Sequence, residues 1–472
     1  MKIGKVFCAL LIMAGLGRGI AAHAKVVEDV PGTLQSLTSI GDALDSPDKH
    51  PVHILYIHGI NAVGAGDSSL FRESICTKLK LCKTEDWKNA GTEYADKGVF
   101  ADGSYPPPLN YLGSAVWNNA DEWHAAAPFV VHWVVHLKNH PSVLVVDEIN
   151  WWPLVLSLKC RRIVTGEASL AGPNDSLLQV CSQQSKQDPG GLGRFYPWIT
   201  VAEANELAKK PAHAVLINRI LKNGLLDWGF SDAMLAVGPL GDILRDGMRQ
   251  LIVKSVEFDA SQSSTTVSGN QKRQAYDWEK MFQEGKTEDR EFIGVTHSLG
   301  SYLLFNTLNL EGYPSPTAAV ASPSAQISAS EKTLEDNAVE YVFARTSLIY
   351  FFANQIPLLE FPNLEDKNSR AAHFSQLLGK WAQVQAQFQS SVHPGNDAAR
   401  KKIQVVAWSD PGDLLTWRVP PIGDVNVLNL YVQNATHWFW LLESPTGAHD
   451  NYASNKEVLR VMFGSTAHPG SH

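Results

Sequence analysis

The chain contains no uninterrupted apolar run of about eighteen residues or more, so nothing in it reads as a membrane-spanning helix. Basic residues are also short. The 40 Lys and Arg stand against 48 Asp and Glu, giving a net charge of -8 with no Lys/Arg cluster. The electrostatic footprint of a nucleic-acid binder is missing, and no nucleic-acid partner is expected. No internal repeat or low-complexity domain is visible, which excludes a solenoid. Cysteine is scarce, with five in 472 residues. The four beyond the N-terminus have no histidine or cysteine spaced to complete a tetrahedral zinc set, so no metal site is expected.

What is present begins at the N-terminus. Met1-Lys2-Ile3-Gly4-Lys5 carries two positive charges, residues 6–17 form a short apolar stretch, and Ala22-His23-Ala24 has the form of a cleavage site. Residues 1–24 therefore read as a signal peptide cleaved near Ala24, with the mature chain exported to a periplasm or secreted. Cys8 lies inside the apolar stretch and not at its end, which does not suit a lipid-anchored cysteine. Export leaves Cys76, Cys82, Cys160 and Cys181 as disulfide candidates in an oxidising compartment. Proximity favours Cys76–Cys82 and Cys160–Cys181, although other connectivities, and four free thiols, stay open.

Strand patterns occur at residues 52–57, 142–149, 291–295, 346–352, 403–408 and 425–432, and helical patterns at 69–81, 299–310, 367–390 and 456–463. Residues 83–140 read as loop-rich, with Pro106-Pro107-Pro108 as a breaker. A Gly/Ser/Gln-rich stretch near 166–193, helical patterns around 200–226 and a polar loop at 261–270 suggest an insertion. Within it, a helix near 239–254 places Leu240, Ile243, Leu244, Met248 and Leu251 on one face, to pack on the core or to form a lid. Strands separated by helix-length segments indicate a doubly wound α/β fold with a mostly parallel sheet.

Chemistry concentrates near Ser298. In Val295-Thr296-His297-Ser298-Leu299-Gly300 a strand pattern ends in a small-x-Ser-x-Gly turn and a helical pattern follows at once. Such a nucleophile elbow strains the serine backbone and exposes its Oγ above the sheet edge. Leu299 would offer its N–H to a developing oxyanion. Thr296 stands where glycine is usual. A serine hydroxyl needs a base, and the base an orienting acid. Downstream, Ser409-Asp410-Pro411-Gly412-Asp413-Leu414-Leu415 supplies two aspartates: Asp413 is favoured, and Asp410, directly before proline, suits turn initiation. Among six downstream histidines, His449 in Ala448-His449-Asp450-Asn451-Tyr452 falls in an expected loop just before the closing helix. His437, by contrast, sits in an aromatic segment and reads as packed or at a rim. Upstream, His58-Gly59 ends the strand 52–57 as a turn whose Gly59 permits close approach and whose Ile60 or Asn61 could give a second oxyanion N–H.

Together, the strand-His58-Gly59 start, the Thr-His-Ser-Leu-Gly elbow, the acid loop and the Ala-His-Asp-Asn-Tyr segment resemble the α/β-hydrolase superfamily in its lipase/esterase-like part. The resemblance covers about 51–80, 142–150 and 290–463. It implies Ser298 as nucleophile, His449 as general base and acid, Asp413 as orienting acid, an oxyanion hole at Gly59, Ile60 and Leu299, and no cofactor. The patterns along the chain divide it into a core in two parts, 25–150 and 286–472, interrupted by a helical insertion or lid at 151–285, while the resemblance does not account for most of 83–285. The expected function is an exported serine hydrolase of carboxylic esters, acting on a small-molecule or lipid ester, with a lid that could contact a membrane surface. A thioesterase or amidase with the same triad, and an inactive scaffold protein on the same fold, are the competing expectations. The Trp151-Trp152 and Trp438-Phe439-Trp440 clusters would line an acyl pocket or lid, or belong to the core.

Overall fold

The computed structural model describes residues 26–29, 37–46, 50–60, 67–84, 91–97, 128–159 apart from 139 and 141, 229–258 apart from 239–240, 290–308, 329–359, 370–392, 402–435 apart from 424, 437–438, 442–443 and 445–464. The signal segment, Asn61, Cys160, Cys181 and the stretches 166–193, 200–226 and 261–270 lie outside the described residues.

In chain order the elements are β1 (Val27–Glu28), α1 (Ile40–Leu44), β2 (Val52–Ile57), α2 (Ser69–Thr77), β3 (Gly91–Lys97), β4 (Phe129–Val135), β5 (Leu144–Asn150), α3 (Trp152–Lys159), α4 (Ser231–Val237), α5 (Gly241–Glu257), β6 (Glu291–His297), α6 (Leu299–Leu308), α7 (Ala329–Arg345), β7 (Thr346–Phe352), α8 (Ile356–Leu359), α9 (Arg370–Val392), β8 (Gln404–Ser409), β9 (Asn426–Tyr431), β10 (His437–Trp438), β11 (Leu442–Glu443), α10 (Pro445–Asp450) and α11 (Lys456–Phe463). A 3-10 turn at Asn451–Ser454 joins the last two helices.

Nine strands form one sheet in the order β1-β9-β8-β7-β6-β2-β5-β4-β3. The run from β9 to β5 is parallel, while β1 closes one edge and β4 and β3 extend the other in antiparallel register. This is an α/β fold with a mostly parallel, mixed sheet. Parallel strands are covered on both faces and tend to read as continuous apolar runs, as Thr346–Phe352 does; Leu144–Asn150 is buried along its whole length as well, although it carries Asp147, Glu148 and Asn150. One face packs Leu55, Ile149, Phe292 and Phe351 against α3, α5, α6, α7 and α9. The other packs Ile54, Val295, Tyr350 and Trp408 against α1, α2 and α11.

Three expectations are corrected. Residues 83–140 are not merely loop: β3 and β4 lie among them. The run Phe129-Val130-Val131-His132-Trp133-Val134-Val135 is dense in β-branched and aromatic residues, which suit a pleated and buried surface. The helix expected over 69–81 stops at Thr77. Beyond it Lys80 takes a left-handed φ of 56°, the Cys76–Cys82 disulfide closes the turn, and Cys82 bridges to Leu137 beside the sheet. His449 lies in the short helix α10 and not in a loop.

The helix near 239–254 is α5, and Leu244, Met248 and Leu251 pack into the sheet core, so this helix is a covering layer and not a lid; Leu240 and the Ile243 side chain lie outside the described set. The closing helix starts where Asn455 caps it, accepting the Glu457 N–H at 3.0 Å. Among the described residues, no helix is long and apolar enough to cross a membrane.

Candidate active site

β6 ends at His297, and Ser298 follows with φ of 55°, the left-handed region that non-glycine residues seldom occupy. Such strain costs on the order of 1–3 kcal/mol and persists only where surrounding bonds enforce it. Here the Ser298 N–H donates to the Phe352 carbonyl at 2.8 Å. The Ser298 carbonyl in turn accepts from the Ser301 N–H at 3.2 Å and the Ser301 hydroxyl at 2.7 Å. Helix α6 then starts so close to β2 that a Cβ at Gly300 would meet the Ile57 carbonyl oxygen at 2.3 Å. Only glycine fits that approach. Thr296, in place of the usual glycine, is fully buried on the opposite face from His297, and its hydroxyl has no hydrogen-bond partner. Ser298 Oγ, expected to be exposed above the sheet edge, is instead buried, and among the described residues it has no partner.

The acid loop and the histidine helix meet at the same, C-terminal, edge of the sheet. His449 Nδ1 lies 2.9 Å from Asp413 Oδ1 and 3.0 Å from Oδ2, a carboxylate clamp on one ring nitrogen. That bond fixes the proton on Nδ1 and leaves Nε2 as the free nitrogen, and Nε2 is buried without a partner. Asp413 is held in turn: its Oδ1 accepts the Leu415 N–H at 2.9 Å and its Oδ2 accepts the Tyr452 hydroxyl at 3.2 Å. Tyr452 is fully buried, stacks on Phe352 with ring centroids 5.9 Å apart, and accepts the Asp410 N–H at 2.6 Å.

Asp410 does something else. Its carboxylate accepts the Gly412 N–H at 2.8 Å and the Asn434 N–H, so it organises the turn. Burial raises its pKa against the pull of those N–H groups. Of the two aspartates, Asp413 is the one that meets His449.

Of the residues expected to form an oxyanion hole, Gly59 and Leu299 lie at the elbow. A Cβ at Gly59 would come within 2.8 Å of Ser298 Cβ and 2.9 Å of His297 Nδ1. Leu299 opens α6, and the N–H groups of a helix's first turn have no acceptor within the helix. Ile60 is partly buried against the core. The turn is braced from behind: His58 stacks on Trp151 with centroids 4.8 Å apart, the Trp151 indole N–H donates to the His58 carbonyl at 3.3 Å, and His58 Nδ1 donates to the Gly59 carbonyl at 2.8 Å. Trp151 and Trp152 are therefore core residues, the first directly behind the turn. The side chains of His437, Trp438, Phe439 and Trp440 lie outside the described set.

A second histidine–aspartate constellation spans the neighbouring strands β2, β5 and β4. Asp147 on β5 accepts from His53 Nδ1 of β2 at 2.9 Å and from His132 Nδ1 of β4 at 2.6 Å, and all three side chains are fully buried. Two histidines hold Asp147 below the usual carboxylate range although burial pushes it up; burial, in turn, lowers His53. His132 also begins the spacing His132-x-x-x-His136-x-x-x-His140, a ligand pattern when it falls on a helix. Here it falls on β4 and its exit, with His132 committed to Asp147 and His140 to Asp45 at 2.8 Å. Ligand-capable atoms of His297, His449 and Asp450 lie within 4.8 Å of one another. His449 Nδ1 is bonded to Asp413 and His297 Nε2 to the His449 carbonyl, so the atoms left to such a group are His449 Nε2, His297 Nδ1 and the exposed Asp450 carboxylate.

Three supporting residues were not assigned these contacts from the sequence: His297 and Tyr452, which carried no role there, and Trp151, read as lining an acyl pocket or lid or as core. Two sit inside the quoted motifs, but only contacts across the fold reveal what they hold. A depression of about 320 Å³ lined by Thr38, Lys402, Gln404, Val425 and Asn426 is at the N-terminal ends of β8 and β9, the edge opposite Ser298. No family model, curated protein or solved structure matches this chain.

Proposed function

We propose that the chain is a serine hydrolase of the α/β-hydrolase type that cleaves carboxylic esters through Ser298, His449 and Asp413 and is exported by its N-terminal signal. The observation that carries this reading is the pairing of a strained, left-handed Ser298 with a neighbouring histidine clamped through Nδ1 by a carboxylate. A merely structural serine gains nothing from that strain.

Ser298 Oγ attacks the ester carbonyl while His449 Nε2 takes the hydroxyl proton. Asp413 keeps the ring in the tautomer that can accept it and stabilises the imidazolium. The tetrahedral oxyanion is met by the N–H of Leu299 and by the Gly59–Ile60 turn. Collapse returns the proton from His449 to the departing alcohol, and the acyl-enzyme is hydrolysed by water through the same base. Leu414, 75% exposed beside Asp413, and Leu358, 43% exposed on α8 beyond β7, are exposed apolar side chains that follow strands ending at this edge.

A series of p-nitrophenyl esters of increasing chain length tests the reading. Wild type should turn over at least part of the series and Ser298→Ala none of it above background. Equal rates for the two proteins would refute the assignment. The same panel, extended to thioester and anilide analogues, ranks the competing leaving groups.

A further inference from the structure

His297 ends β6 on the same face as Ile293 and Val295, immediately before the elbow. Its Nε2 lies 2.8 Å from the carbonyl oxygen of His449, and the two rings are 4.9 Å apart between centroids. A carbonyl only accepts, so Nε2 carries the proton and donates. Burial first and the neighbouring His449 second hold His297 down to about 4, which keeps it neutral and in that donor form near neutral pH. On its other side, Nδ1 packs against Gly59, where any Cβ would approach to 2.9 Å. One imidazole thus touches the elbow by its own backbone, the oxyanion turn by one nitrogen and the histidine helix by the other.

A general base needs its free nitrogen within hydrogen-bond reach of the nucleophile, and errors of about 1 Å cost on the order of a hundredfold. Asp413 fixes the His449 ring through Nδ1. Nothing in that bond fixes the backbone from which the ring hangs, and that backbone belongs to a helix of only six residues. The His297 bond supplies the second anchor. Because His297 is covalently next to Ser298, the anchor references the base to the nucleophile itself.

We propose that His297 is a positioning residue: by donating from Nε2 to the His449 carbonyl it sets the distance between base and nucleophile, and by packing on Gly59 it seats the oxyanion turn in the same frame. This rests on the triad reading above. The two bonds divide the work, with the Asp413 bond governing ring orientation and the His297 bond governing ring location.

The test compares His297→Leu, which removes the donor, with His297→Gln, whose amide nitrogen falls near the position of Nε2. The readouts are the rate of fluorophosphonate labelling, kcat and KM for a p-nitrophenyl ester, and the melting temperature. His297→Leu should lower kcat and labelling rate together by about tenfold or more, with KM changed by less than about twofold. His297→Gln should recover most of the loss. If the leucine variant does not fold, His297→Asn takes its place, because its shorter amide cannot reach the carbonyl. Near wild-type rates without the donor would overturn the proposal, and so would equal losses in the glutamine and donor-less variants, since only bulk would then matter. Wild type that neither labels nor turns over would remove the triad reading itself, and with it this role, a result distinct from labelling that is indifferent to residue 297.

Discussion

The two histidine–aspartate constellations use the same atoms at nearly the same distances and are built for opposite ends. At the C-terminal sheet edge, Asp413 grips one nitrogen of His449 at 2.9–3.0 Å and the opposite nitrogen is left free beside the elbow. Across β2, β5 and β4, Asp147 is shared between His53 and His132 at 2.9 and 2.6 Å, with no hydroxyl among its contacts in the described residues and Phe258 stacked on His132 at 4.1 Å. A carboxylate–histidine bond therefore does not make a base. On the proposed reading it becomes one where the far nitrogen serves the serine of the neighbouring elbow, and at Asp147 it is a buried, paired charge that fixes three strands relative to one another.

That contrast can be broken at several points. The largest effect should come from Asp413→Asn, which leaves the ring in the wrong tautomer and should lower turnover by about four orders of magnitude. Asp410→Asn, changing a carboxylate that holds only backbone N–H groups, should cost no more than about tenfold. Equal losses would mean that the acid has been assigned wrongly. Asp147→Asn should do the reverse of Asp413→Asn. Removing one member of a buried pair destabilises by about 3 kcal/mol, read by chemical denaturation, while the labelling rate of the folded fraction stays at the wild-type value.

Acid should weaken the fold through both regions. The histidines His297 and His53 have lowered values in the folded chain, the first about 4 against an ordinary 6.5. Below about pH 6.5 the unfolded chain takes up protons that the folded chain refuses, so stability falls as the pH drops toward 4, by at most about 3 kcal/mol for His297. Asp147 adds a loss at still lower pH, since its lowered carboxylate stabilises only while ionised. Glu335, raised to about 8 by burial, contributes with the opposite sign over this range, so the check is a comparison: the midpoint of wild type minus that of His297→Gln should fall from pH 7 to 4.5, and a difference that stays level or rises would contradict this. The smallest effect is expected from Cys76→Ser with Cys82→Ser: a sequence separation of 6 should cost about 2 kcal/mol and leave turnover unchanged.

The sequence exposed what is local. Continuous apolar runs marked the central parallel strands, and Lys456–Phe463 and Thr346–Phe352 match their patterns to the residue. The elbow, the acid loop and the histidine segment were legible because each is a turn or short element whose chemistry is written in consecutive residues. What stayed hidden depends on pairing across distance. β4 was lost in a stretch dominated by proline and loop signals, and with it His132, so the Asp147 cluster, joining residues 94 and 15 positions apart, had no sequence signature. Tyr452 and His297 were visible as letters in motifs, but their roles arise only when the acid loop, the elbow and α10 fold against one another. The choice between Asp410 and Asp413 turned on the same thing, namely which carboxylate faces His449 after folding.

The central claim is that the strained serine at the edge of the sheet is the nucleophile. Labelling the intact protein with a fluorophosphonate probe, followed by peptide mass mapping, tests it most directly. The account predicts a single adduct on Ser298 that disappears in Ser298→Ala; an unlabelled wild type, or an adduct on any other residue, would contradict it.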